Sequence, residues 1–214
     1  MKERIAEASP RFKARIAGAL SLLSLLAAVF GEFFIRRLEF AGDVIAVLGM
    51  VAVTLLLYDI FKPVNRSLSL LAASFNLVGL TFGALRWNPR GVDITVVFSG
   101  FSCLLIGYLI FRSTFLPRIL GALMAFAGLG WVTFLSPTLA NHLSPYNLAS
   151  GILGQESVML WLLVMGVNVQ RWKEQASATG SSDGAILALR DGDASAIRFI
   201  ITAALILVPP YASY

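Results

Sequence analysis

The chain has 214 residues, of which 57% are hydrophobic and only 14% are charged, whereas a soluble domain carries about 25% charged residues. This composition excludes an ordinary water-soluble domain and predicts an all-α integral membrane protein, a bundle of helices with one domain. The net charge is +5, but the basic residues flank apolar runs and form no stripe. Nucleic acid is therefore excluded as a partner, and the lipid bilayer is expected.

The first apolar run follows a basic N-terminus. Five Lys and Arg residues precede position 16, and positive charge of this kind holds a chain end in the cytoplasm. The first predicted span covers residues 16–35 and the second covers residues 44–60. The third covers residues 67–85, after a turn that contains Lys62, Pro63 and Arg66. These runs are near the length of about 17 to 25 residues that crosses a bilayer.

Three further spans are predicted in the second half of the chain. A turn at Asn88-Pro89-Arg90-Gly91 precedes the fourth span, residues 94–111. A basic turn with Pro117, a residue suited to a helix start, precedes the fifth span, residues 119–135. The sixth span, residues 148–169, ends near Trp172, which is flanked in sequence by Arg and Lys. This pattern is typical of an anchor at the membrane interface.

The distribution of positive charge predicts the topology. With the N-terminus inside, six spans place eleven Lys and Arg residues in cytoplasmic segments and four in the outer loops. The positive-inside rule then favours six spans with both termini cytoplasmic, in a multi-pass protein of a bacterial inner (plasma) membrane.

The C-terminal part of the chain has a different composition. Residues 1–173 are predicted to form the single transmembrane domain, and residues 174–214 are predicted to form a tail. The tail begins with a small and polar segment that contains Thr179-Gly180-Ser181-Ser182-Asp183-Gly184, which favours flexibility. A short apolar helix is predicted over residues 196–208, but 13 residues are too few to span a bilayer.

Two hairpins have similar helix ends. Tyr58-Asp59-Ile60-Phe61-Lys62 matches Tyr108-Leu109-Ile110-Phe111-Arg112 at an offset of 50 residues. One hypothesis is a parallel internal repeat. The alternative is that aromatic and basic residues are common at any cytoplasmic helix end.

Several short segments together form a specific pattern: Ala14-Arg15-Ile16-Ala17-Gly18, Gly31-Glu32-Phe33-Phe34, Leu55-Leu56-Leu57-Tyr58, Pro63-Val64-Asn65, Gly107-Tyr108-Leu109-Ile110-Phe111-Arg112-Ser113, Phe115-Leu116-Pro117-Arg118-Ile119-Leu120-Gly121, Leu160-Trp161-Leu162-Leu163 and Gly166-Val167-Asn168. On these segments the chain resembles domain-of-unknown-function family 4386, a set of bacterial multi-pass membrane proteins. The resemblance covers roughly residues 10–173 and implies a helical membrane protein with no assigned activity and no catalytic residues. Two features depart from the family pattern: the short segment 36–43 between the first two spans, and the tail after Glu174.

Polar residues near the middle of the predicted spans are the candidate binding site. Ionisable groups inside a bilayer are costly, and each one is therefore a functional hypothesis. Glu156 is the strongest of them, about 12 Å along the sixth span at the helical rise of 1.5 Å per residue. Gln155, Asn76, Ser102 and Cys103 are predicted to lie at a similar depth, with Thr54 and Ser24, and to form a substrate-binding polar layer. The alternative is a set of interhelical hydrogen bonds that only hold the bundle together.

Other features indicate structural roles. Glu32 and Arg36 have the i, i+4 spacing of an interfacial ion pair. Gly79-x-x-x-Gly83 predicts a close approach of a neighbouring helix. The single His, His142, and the single Cys, Cys103, provide neither a metal cluster nor a disulfide, so no metal or cofactor is expected.

Three functions are compatible with the sequence. The first is a non-enzymatic membrane protein with a structural or accessory role. The second is a carrier or sensor of a small or lipidic molecule that uses the polar layer around Glu156. The third and weakest is a membrane-embedded enzyme, because catalytic motifs with a nucleophile and a nearby base are missing and no catalytic residue is assigned.

Overall fold

The computed structural model describes residues 9–34, 39–85 and 92–186, and it describes their side chains except at 28–34, 39–43 and 179–186. Within these ranges the secondary structure is helical throughout, with eight α-helices and no strand. The helices are α1 (Pro10–Phe34), α2 (Glu39–Phe61), α3 (Arg66–Ala84), α4 (Ile94–Arg112), α5 (Arg118–Val132), α6 (Pro137–Leu143), α7 (Tyr146–Val164) and α8 (Val169–Ile186). A short 3-10 turn, Thr133–Leu135, follows α5.

Polar side chains define where several helices begin. The side chain of Asn65 accepts a hydrogen bond from the backbone N–H of Leu68 and caps α3. Asp93 caps α4 in the same way, and Asn168 caps α8 through the backbone N–H of Arg171. These side chains satisfy amide groups that have no acceptor within the helix, so the polar residue before each apolar run fixes the start of the helix.

Five helical segments in the described part are long and apolar enough to cross a membrane. They are Val44–Phe61 in α2, Arg66–Ala84, Ile94–Arg112, Arg118–Leu135, which is α5 with its 3-10 turn, and Tyr146–Val164. They correspond to the second to sixth predicted spans. The first predicted span, residues 16–35, lies largely in α1, which is not among these five. The count of six spans therefore stays a prediction.

The last predicted span is shorter than expected. The sequence predicted residues 148–169, but α7 ends at Val164. Gly166 has a backbone φ of +70°, a left-handed conformation that favours glycine, and its N–H donates to the carbonyl oxygen of Trp161 at 3.2 Å. The chain therefore turns at Gly166 before α8 begins at Val169.

The beginning of the predicted tail continues as a helix. Residues 174–186 belong to α8, whereas the sequence predicted a flexible segment from residue 174. Several hydrogen bonds connect α8 to the bundle. The indole N–H of Trp172 donates to the carbonyl oxygen of Ile60 at 2.9 Å, and the backbone N–H of Thr114 donates to Oε1 of Gln175 at 3.1 Å. The predicted apolar helix 196–208 lies outside the described residues.

The helices form a closed ring. Each helix from α1 to α4 packs against the next one along the chain, and α7 packs against both α5 and α1. Glycines permit several of these contacts. A Cβ atom placed at Gly107 of α4 would lie 2.9 Å from the carbonyl oxygen of Gly121 on α5. Gly79 and Gly83 lie against Thr95 of α4, which confirms the predicted close approach at this pair.

The contact between α2 and α3 differs from the contact between α4 and α5. Among the described glycines, none makes a close contact between α2 and α3. Hydrogen bonds join these helices, and one of them runs from the Ser69 hydroxyl to the carbonyl oxygen of Tyr58 at 3.1 Å. The repeat of two hairpins stays a prediction, and the two copies would differ at this contact.

The large buried side chains lie toward one end of the ring, where α1, α3 and α5 begin and α2, α4 and α7 end. The largest fully buried apolar side chains there are Ile60, Phe61, Leu109, Ile110, Met124, Val158, Met159 and Leu162. In the other half, most of the buried positions are small, such as Gly79, Gly100, Ala127 and Gly151. The apolar core therefore fills the first end, which we call the basal end.

Candidate functional site

The predicted polar layer separates into pairs of residues. Asn76 of α3 donates a hydrogen bond from Nδ2 to Oγ1 of Thr54 on α2, at 2.7 Å. The Thr54 hydroxyl in turn donates to the carbonyl oxygen of Met50 at 2.7 Å. Two of the predicted polar residues are thus joined, and these hydrogen bonds connect them to each other and to the backbone.

Ser102 is close to the same pair. It is buried, and its hydroxyl donates to the carbonyl oxygen of Ala72 at 2.9 Å. A cavity of about 10 Å³ lies between Thr54, Asn76 and Ser102. A space of this volume holds about one water molecule, so the site as it stands is too small for a larger solute.

Gln155 and Cys103 meet across the interior of the ring. The thiol of Cys103 on α4 lies 3.7 Å from Oε1 of Gln155 on α7, a distance compatible with a weak S–H hydrogen bond. The bond connects helices that are not neighbours in the ring, so the Gln155 side chain faces the interior of the ring.

Glu156 stands apart from these pairs. Its side chain is partly buried, and its Oε2 atom is shielded from solvent and has no hydrogen-bond partner in the part of the chain that the structure describes. It lines neither the small cavity nor the larger groove described below. Gly18 of α1 packs on Met159 and Leu163 of α7. Because α1 and α7 run in opposite directions, Glu156 lies at the depth of Ser21 and Ser24, which are about one and two helical turns beyond Gly18.

Two other predicted features give no described site. Arg36 lies outside the described residues, as does the side chain of Glu32, so the predicted ion pair stays a prediction. His142 is exposed at the end of α6. Within the described ranges, no group of three His, Cys, Asp or Glu side chains is placed to hold a metal ion.

A second cavity, larger than the one beside Asn76, was not predicted from the sequence. It is a groove of about 630 Å³ at the basal end, between the start of α1, the connection from α4 to α5, the end of α7 and the start of α8. We call it the basal groove. Its lining includes Arg11, Thr114, Phe115, Trp161, Met165 and Arg171.

Both hydrogen bonds and close packing define the basal groove. Arg171 donates from Nη1 to the carbonyl oxygen of Thr114 at 3.3 Å, and the Asn168 N–H donates to the carbonyl oxygen of Phe115 at 3.4 Å. The side chain of Arg11 lies over Gly166, where an added Cβ would meet its Cγ at 2.8 Å. The sequence did contain one signal for this region, since Arg171 and Trp172 predict an anchor at the membrane interface. The turn at Gly166 then brings α8 across the basal end of the bundle, and this arrangement encloses the groove.

The fold defines a helical protein with several apolar helices that suit a membrane. A family model described as "Domain of unknown function (DUF4386)" matches residues 26–87 and 80–166, and the chain belongs to this family. The chain is also 27% identical over 127 residues to a protein of Archaeoglobus fulgidus (strain ATCC 49558 / DSM 4304 / JCM 9628 / NBRC 100126 / VC-16) named "Uncharacterized protein". The similarity covers 54% of this chain and 76% of the relative. No solved structure matches the chain.

Proposed function

We propose that this protein is a non-enzymatic, six-span protein of the inner (plasma) membrane with a structural or accessory role and both termini in the cytoplasm. The distribution of charge is the main support. All nine Lys and Arg residues with described side chains lie at the basal end, whereas Arg36, Arg37, Arg86 and Arg90, which the sequence places in the outer loops, lie outside the described residues. Cytoplasmic segments carry an excess of basic residues, so the basal end faces the cytoplasm.

The packing of the interior supports a structural role. Leu109, Met124 and Leu162 are fully buried at the basal end, and the cavity beside Asn76 has room for about one water molecule. A transport path would need a chain of polar or water-filled space through the ring. The described interior instead consists of close contacts between helices, which is how membrane bundles gain stability.

Single-cysteine labelling tests the proposed topology. Cys103 is the only cysteine of the chain and it is buried, so Cys103→Ala provides a cysteine-free background. We expect a membrane-impermeant maleimide to label Asn141→Cys on intact cells, and to label Lys62→Cys and Lys173→Cys only after lysis. All three positions are exposed. Labelling of Lys173→Cys on intact cells would contradict the six-span topology.

A second candidate is a carrier or sensor of a small or lipidic molecule at Glu156. The buried Oε2 atom without a described partner favours it, because an unpaired carboxylate in a bilayer is costly and a bound donor or cation would offset that cost. A screen of solutes and lipids by thermal unfolding in detergent decides between the two candidates. Stabilisation by a solute that is lost in Glu156→Gln would support the carrier. If no stabilising effect depends on Glu156, the structural role is favoured.

A further inference from the structure

We propose that the basal groove binds the phosphate-bearing headgroup of an anionic phospholipid from the cytoplasmic leaflet. This inference rests on the membrane orientation proposed above, because it requires the basal end to lie at a lipid surface. The ligand class follows from three properties of the groove: its volume, its two arginines and its apolar wall.

The volume and composition of the groove suit an amphiphile. About 630 Å³ is within the range of about 300–1,000 Å³ that is typical of small-molecule sites. Trp161 and the exposed Met165 supply apolar surface beside the buried Phe115 and Leu116, whereas Arg11 and Arg171 supply positive charge. A site for a purely polar anion would have little use for this aromatic and aliphatic wall.

The two arginines are available for an anion. In the described part of the chain, neither Arg11 nor Arg171 forms an ion pair, and the pair found there is Lys13–Asp59 at 2.8 Å. The described hydrogen bond of the Arg171 guanidinium goes to a backbone carbonyl and uses one of its five N–H groups. Guanidinium groups bind phosphate through two parallel N–H donors, because the planar group matches the spacing of two phosphate oxygens.

The backbone adds further positive potential to the same groove. Val169 and Gln170, the first two residues of α8, line it, and the first amide groups of a helix have no acceptor within the helix. The positive, N-terminal end of the α8 dipole therefore lies at the groove that the two arginines line. This effect strengthens a site that the two guanidinium groups already define.

The position of the groove favours a lipid over a free anion. Met165 lines the groove and is 55% exposed, and the preceding exposed residues on α7, Leu160 and Val164, are also apolar. An apolar surface next to a basic rim fits a molecule with acyl chains and a charged headgroup. Basic pockets at the cytoplasmic ends of transmembrane helices are a recurring form of recognition for anionic headgroups.

Thermal unfolding of the full chain in dodecyl maltoside tests the proposal. The additions are dioleoylphosphatidylglycerol, dioleoylphosphatidylcholine and inorganic phosphate, each titrated separately. We expect phosphatidylglycerol to raise the unfolding temperature in a saturable way, with much weaker effects of the other two. The Arg11→Gln and Arg171→Gln substitutions should each weaken the apparent affinity roughly tenfold or more, because each removes charge-assisted hydrogen bonds.

Matched variants separate binding from folding. Arg66→Gln removes an exposed arginine at the same end that does not line the groove, and it should leave the affinity unchanged. Gln170→Glu adds a negative charge inside the groove without removing an arginine, and it should also weaken binding. Ser177→Glu adds the same charge two turns further along α8, on an exposed position, and serves as its control. If an arginine variant fails to fold, the Gln170→Glu and Ser177→Glu pair still decides the question.

Three outcomes would overturn the proposal. Phosphatidylcholine could stabilise the protein as strongly as phosphatidylglycerol, which would show that charge is not recognised. Inorganic phosphate could be equally effective, which would identify a soluble anion as the ligand. Arg66→Gln or Ser177→Glu could weaken binding as much as the groove variants, which would place the site elsewhere. The cysteine-labelling result is independent of all three, so a failure of topology and a failure of lipid binding are distinguishable.

Discussion

The close contact of Gly107 on α4 with α5 leads to a quantitative prediction. In Gly107→Ala, the new Cβ would lie 2.9 Å from both the backbone nitrogen of Ala125 and the carbonyl oxygen of Gly121. Neither atom can rotate away, because both belong to the backbone of a helix. Non-bonded carbon atoms at optimal separation are about 3.5–4.0 Å apart, so the two helices must separate locally by roughly 0.6–1 Å.

Two opposing effects set the size of the change. Overpacking of a close contact costs about 1–3 kcal/mol. Replacing glycine by alanine within a helix gains at most about 1 kcal/mol from propensity. Lipid is as apolar as the side chains, so van der Waals packing holds the helices together. Burial of apolar surface does not compensate for a loss of this packing. We therefore expect a net loss of about 1–2 kcal/mol in the free energy of unfolding.

Unfolding by sodium dodecyl sulfate in mixed micelles, followed by tryptophan fluorescence, measures this loss. The control is Ala122→Val, which adds volume on an exposed position of α5 and should change stability by less than about 0.5 kcal/mol. A Gly107→Ala protein that is as stable as the wild type would refute the close contact. Equal destabilisation by Ala122→Val would show that added volume anywhere on the helix is harmful.

Three further predictions use the same unfolding measurement. Trp172→Phe removes the hydrogen bond to the Ile60 carbonyl, so it should cost about 0.5–1.5 kcal/mol and make α8 more sensitive to limited proteolysis, whereas unchanged proteolysis would contradict the docking of α8. A double-mutant cycle of Asn76→Leu and Thr54→Val should give a coupling energy of about 0.6 kcal/mol, and a coupling of zero would argue against their 2.7 Å bond. Lys13→Met removes an ion pair between a partly buried lysine and an exposed carboxylate, so it should cost no more than about 1 kcal/mol, and a larger loss would indicate an additional partner.

The pairs of polar residues in the interior could be predicted from the sequence only in part. Depth along a helix follows from residue count, so Asn76, Ser102 and Gln155 could be placed at a similar level. Which residue meets which depends on how each helix is rotated about its axis. The ring decides this, and it directs Gln155 at Cys103 across the interior while it leaves the Glu156 oxygen without a described partner.

The sequence by itself determined the all-helical class and the positions of five apolar helical segments that are long enough to cross a membrane. The thickness of a bilayer sets the length of an apolar run, and polar caps such as Asn65 and Asp93 set where helices begin. Both are local properties, so they can be counted along the chain. The contact of Gly79 and Gly83 with a neighbouring helix was predictable for the same reason, because small residues at this spacing share one helix face.

Only the tertiary structure decided the closure of the ring and the basal groove. Closure packs α7 against α1, near the opposite end of the chain, and Trp172 bonds to Ile60 across 112 positions of sequence. The groove also requires the left-handed turn at Gly166, because a continuous helix to residue 169 would carry Arg171 away from Arg11. Contacts of this kind depend on how helices are arranged in space, and no period or spacing along the chain specifies that arrangement.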